Sequence, residues 1–126
     1  MRRLWRDEAG AALVEYALVL PALLALVLGL MQLGGMAWTQ EALNYAVQEA
    51  ARCAVVRPDL CGTPGAIQQY AASQALGLSV APETFTVNLV SPDNCGVDVR
   101  ADVPYDFIVS PFNTSPVRLT ADACRT

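Results

Sequence analysis

The chain contains neither lysine nor histidine, so all eight of its basic residues are arginine. That absence excludes a histidine-based catalytic triad, histidine metal ligation and a Schiff-base lysine. Nucleic-acid binding is disfavoured too: the formal net charge is −4, and the arginines beyond the N-terminus are scattered. No CxxC pair is present, and structural zinc sites usually place ligands two to four residues apart. No nucleophile stands with a base, and no phosphate-binding loop is found, so neither an enzyme nor a cofactor is expected. Asp98 and Asp102 read as a solvated strand face. Charge is also missing from one long stretch, because Glu15 is the only charged residue between Ala9 and Trp38.

What is present divides into two kinds of sequence. Hydrophobic residues make up 54% of the chain, but the excess sits before Trp38, and the remainder looks like ordinary globular sequence. Residues 11–32 form an apolar run long enough to cross a bilayer, for which about 20 residues suffice. The run exceeds the roughly 7–15 residues of a secretory signal core. Arg2, Arg3 and Arg6 precede it, so the positive-inside rule keeps that end cytoplasmic and sends the rest across the inner membrane. Glu15 is costly inside such a run unless it stays hydrated near the interface or finds a partner.

The four cysteines, Cys53, Cys61, Cys95 and Cys124, all follow the apolar run. An even count in a small exported domain reads as two disulfides. Cys53 and Cys61 are close enough along the chain for a local bridge, leaving Cys95 and Cys124 to pair. Three connectivities remain open on sequence alone.

The apolar helix is expected to continue past the membrane over residues 11–56. Leu43, Ala46, Val47, Ala50 and Ala54 follow helical spacing, with Glu41, Asn44, Gln48 and Arg52 on the other face. Arg57-Pro58 ends it, since a residue before proline avoids the helical region. Thr63 and Pro64 read as the N-cap and first position of a second helix, with Gly77 as its terminator. Residues 84–90 and 97–103 alternate as strands of an antiparallel hairpin, around the turn cluster at 91–96. Residues 105–109 are an extension of the sheet after Pro104, residues 111–116 a loop, and residues 117–121 a last strand. Asn113-Thr114-Ser115 fits a glycosylation sequon and is read here as a turn. The expected fold is α+β: a long N-terminal transmembrane helix, one further helix and a three- to four-stranded antiparallel sheet. The expected divisions are 1–10, 11–57 and 58–126.

Gly10-Ala11-Ala12-Leu13-Val14-Glu15-Tyr16 resembles a prepilin peptidase site: a short charged leader, a glycine before the scissile bond, and glutamate at the fifth mature position. The Glu-Tyr pair resembles the variant of the Tad (tight adherence) branch of type IV pili. The stretch from Arg6 through Pro21 is similar to the opening of the TadE-like family, and Ala46-Val47-Gln48-Glu49-Ala50-Ala51-Arg52-Cys53-Ala54 to its second segment. The resemblance implies a pilin-like fold and a minor pilin or pseudopilin role in pilus assembly, priming and adhesion. It implies cutting between Gly10 and Ala11, with 1–10 as the leader, and an assembly role for Glu15 and Tyr16. Its partners would be the prepilin peptidase, other pilin subunits, Tad inner-membrane assembly proteins and the membrane. The domain would be periplasmic, or carried to the cell surface in a pilus.

The residue chemistry fits that reading. Glycine lets the backbone leave helical geometry for cutting. Cleavage creates an ammonium on Ala11 that Glu15, on the same chain or a neighbour, can neutralise. Pro21 removes one helical hydrogen bond. A second reading is a non-polymerising, membrane-anchored periplasmic binding or scaffold protein, in which Gly10 and Glu15 are incidental.

Overall fold

In the computed structural model, residues 8–91, 93–108 and 115–126 are described. The described chain holds two α-helices, α1 (Glu8–Val56) and α2 (Pro64–Gln74). Three strands follow: β1 (Phe85–Asn88), β2 (Val97–Tyr105) and β3 (Val117–Arg125). They form one antiparallel sheet in the order β1-β2-β3. The fold is therefore α+β, with the long apolar helix, the second helix and a three-stranded sheet. The chain divides into two compact units at Gly34/Gly35.

In the first unit, α1 is apolar on every side. Leu13, Leu18, Leu26 and Leu30 are all 60% exposed or more. A helix apolar all round and left uncovered fits a lipid solvent, and this one is long and apolar enough to cross a membrane. Pro21 lies inside it.

In the second unit, the pattern of α1 changes to a single buried seam. Leu43, Ala46, Val47, Ala50 and Ala51 are fully buried, in one core with Ile67 and Ala71 of α2 and Phe85, Val99, Ala101, Leu119 and Ala121 of the sheet. Alanines supply much of both sides, and small side chains allow close packing of a helix on a sheet. Side-chain amides add to the fastening. Gln40 donates to the Thr120 carbonyl at 2.8 Å, and Gln68 to the Phe85 carbonyl at 2.7 Å.

The element ends follow local chemistry. α1 stops before Arg57-Pro58, and the Thr63 hydroxyl caps α2 by accepting from the Ala66 N–H, with Pro64 in the first turn. α2 ends at Gln74, ahead of Gly77, which takes positive φ (+74°) in the following turn. β1 is shorter than the alternation implies. Pro82–Thr84 forms a 3-10 turn, and the Ser91 N–H donates to the Gly96 carbonyl, which closes the connection to β2. Leu89 and Val90 therefore lie outside the sheet and are exposed. Gly96 has φ +94°, and a Cβ there would overlap the Arg125 carbonyl.

β2 runs through Pro104 and ends at Tyr105, so the expected extension over 105–109 contributes only Tyr105 among the described residues. Proline is accommodated because β1 pairs only as far as Ala101, leaving this end of β2 with β3 as its neighbour. β3 is longer than expected and carries Cys124 within it. The loop over 111–116 lies outside the described residues up to Asn113-Thr114, and so does most of the sequon.

Candidate processing and assembly segment

Gly10, Ala11, Glu15 and Tyr16 all lie on α1 and are exposed. Residues 1–7 of the expected leader are outside the described residues. Gly10 is helical here and not extended. A Cβ at Gly10 would meet nothing within 4 Å. Packing therefore does not require glycine at this position.

Ala11 and Glu15 are four residues apart on one helix, which places them on the same face. Glu15, Tyr16 and Val19 line a shallow depression of about 210 Å³. The segment thus presents one carboxylate and one phenol on an otherwise apolar surface. An amine created at Ala11 would be within a helical turn of that carboxylate.

The cysteines are joined as Cys53–Cys61 and Cys95–Cys124, with Cα–Cα distances of 5.8 and 6.0 Å. The first closes the turn after α1. The second ties the β1–β2 connection to the end of β3, which the register brings alongside by pairing Asp98 with Cys124.

Two features of the sheet's outer face escaped the reading of the sequence. Asp98 is only 3% exposed, contrary to the expectation of a solvated acid, and accepts from Arg100 Nε at 2.8 Å. Asp102 is exposed as expected but takes both Nε and Nη2 of Arg118, at 2.9 and 2.6 Å. That hydrogen bond and the nearby carboxylate hold the Arg118 guanidinium above its ordinary pKa. The i, i+2 spacing of Asp98 and Arg100 was the available signal, because residues two apart share a strand face. Among the described residues, no three of Asp, Glu or Cys gather into a metal-binding group.

The fold and the segment define a class: an α+β protein with, among its described residues, one helix long and apolar enough to cross a membrane, which carries an acidic residue near its apolar start. The TadE-like protein family matches residues 10–52, the part of α1 that holds Gly10, Glu15 and the Ala46–Arg52 seam. This match agrees with the family resemblance of the opening segment and points to a protein associated with the Tad pilus, in a family that is typically structural. No curated protein and no solved structure matches the chain.

Proposed function

We propose that the protein is a minor pilin or pseudopilin of a Tad-type pilus. The observation that carries this reading is the order of Gly10, Glu15, Tyr16 and Pro21 on an apolar helix, within a TadE-like match over residues 10–52. Prepilin peptidase cuts between Gly10 and Ala11. The new Ala11 ammonium pairs with Glu15 of its own or a neighbouring chain, giving an incoming subunit its register. The N-terminus lies in the cytoplasm and the disulfide-linked domain in the periplasm. Small major pilins are little more than a helix; a subunit with a full extra domain suits an accessory place, priming or tipping the filament and contributing to adhesion. Its partners are other pilin subunits and the inner-membrane assembly proteins of the Tad system.

Glu15→Ala tests the assembly step. Removing one partner of a buried ion pair costs roughly 3–5 kcal/mol, enough to suppress subunit addition by orders of magnitude. In the membrane before assembly both charges can reach the interface, so the cost there is smaller. The variant is expected to insert, be processed and form both disulfides, yet fail to restore piliation in a strain lacking the wild-type copy. Normal piliation would favour the non-polymerising anchor.

A further inference from the structure

The second unit begins at Gly35, just past Leu33, where the exposed leucines of α1 end. The helix is unbroken there, so Trp38 stands about 8 Å of helix beyond Leu33, at roughly 1.5 Å per residue. A headgroup layer is about 5–8 Å deep on each side of the hydrocarbon core. Chain continuity alone thus ties the first turn of the second unit to the boundary of any bilayer that the apolar run crosses.

Other elements of the second unit come to this same turn. A Cβ at Gly35 would lie 2.9 Å from the hydroxyl of Tyr105, at the end of β2. Phe107 sets its ring edge-on to Tyr105, with centroids 5.5 Å apart. The register puts Val117, the first residue of β3, opposite Tyr105. A Cβ at Gly77, in the turn after α2, would lie 3.9 Å from Trp38 Nε1. Trp38 and Leu76 line one depression of about 260 Å³.

Each of these elements exposes an apolar side chain at this end of the domain. Trp38 is 63% exposed, Leu76 55%, Ile108 92% and Val117 40%, and none belongs to the buried core. Tryptophan favours the headgroup level, and aliphatic side chains beside it gain by leaving water. The acids here are Glu41, which lines the same depression, Asp106, and Asp102 in its pair with Arg118. The arginine is already matched, so nothing at this end attracts anionic headgroups. Val90, 85% exposed, lies beside the Ser91–Gly96 hydrogen bond at the opposite end of β2, about 26 Å away at roughly 3.3 Å per residue.

We propose that Trp38, Leu76, Ile108 and Val117 form a rim that seats the domain in the headgroup region of the membrane that α1 crosses. The partner is the zwitterionic lipid interface, held by apolar contact. The inference rests on the reading of the apolar run as a membrane span, and not on entry into a filament.

The test uses the full chain in phosphatidylcholine vesicles, with and without lipid brominated near the top of its acyl chains, which quenches nearby tryptophan. Trp5→Phe with Trp38→Phe gives a tryptophan-free background. Leu76→Trp, Ile108→Trp, Val90→Trp or Leu24→Trp then adds a single reporter, and non-reducing peptide mapping of both bridges confirms that each variant is folded. The Leu24 reporter tests the span. The Val90 reporter tests whether tryptophan draws any exposed site to lipid. Brominated lipid is expected to lower emission from the Leu24, Leu76 and Ile108 reporters and to leave the Val90 reporter unchanged. If the Leu24 reporter is quenched and a folded Leu76 or Ile108 reporter is not, water or another protein covers the rim; the proposal is overturned and the span stands. Equal quenching of the Val90 reporter would overturn it as indiscriminate adsorption. An unquenched Leu24 reporter would overturn the span and the rim together.

Discussion

Asp98 and Asp102 show how far the surroundings of a residue decide its contribution. Both lie on the outer face of β2, both meet an arginine, and the sequence treats them alike. The Asp98 carboxylate is buried although Arg100 reaches it from solvent, so losing the acid leaves a buried position unfilled, whereas Asp102 and Arg118 are both open to solvent and screened. Asp98→Ala is therefore expected to destabilise the domain by about 1.5–3 kcal/mol, the range for hydrogen bonds to charged groups. Asp102→Ala should have a clearly smaller effect, despite its two hydrogen bonds. Urea unfolding of the two variants in detergent, followed by near-ultraviolet circular dichroism, compares them directly. The raised Arg118 pKa adds no pH dependence near neutrality. A raised folded-state value contributes stability that is complete below the ordinary arginine range and lost only above it. The distinction between the two acids was not legible in the sequence, because strand alternation specifies a face and not how deeply it is covered.

At the level of elements, α1 was the most legible feature. Its apolar run, its change to an i, i+3, i+4 seam and its stop at Arg57-Pro58 are all written in residue spacing. The same helix consequently makes two opposite predictions. Leu43→Ala empties a fully buried position and should cost about 2–5 kcal/mol of domain stability. Leu24→Ala, at a residue 51% exposed, should leave the unfolding of the domain unchanged. Denaturant titration of both variants in the same detergent measures the contrast. The strands were less legible, since their limits depend on partners. β1 is cut short by the Pro82–Thr84 turn, and β3 is extended by its register with β2 through Cys124.

The two bridges differ in the chain they enclose, spanning separations of 8 and 29 residues. On loop-closure entropy alone, the longer contributes about 3.6 kcal/mol and the shorter about 2.6. Replacing Cys95 and Cys124 by serine should thus lower stability by roughly 1 kcal/mol more than replacing Cys53 and Cys61. Denaturation midpoints of the two double variants, with the remaining bridge confirmed by non-reducing peptide mapping, give the comparison. Proximity along the chain pointed to these pairs but left other connectivities open. The β2–β3 register is what brings Cys95 and Cys124 together, and register was beyond the sequence pattern.

Across the whole molecule, one chain is divided between two solvents. The first unit has a surface suited to lipid, and the second has a core closed by α1, α2 and the sheet. Composition alone revealed that division, because charge disappears over one stretch and returns after Trp38. The segment bearing Gly10 and Glu15 was also recognisable, since its residue types and offsets are local. What would surround it in the proposed filament would belong to other chains, and one chain's periodicity does not encode that.

The central claim is that this is a processed, pilin-like subunit and not a permanent anchor. The mass of its N-terminal peptide, isolated from membranes of the native host with and without an active prepilin peptidase, tests this most directly. The account predicts a chain beginning at Ala11 when the peptidase is present, a chain retaining residues 1–10 when it is absent, and accumulation of the longer form for Gly10→Val in both. An N-terminus that retains residues 1–10 in the presence of the active peptidase would contradict it.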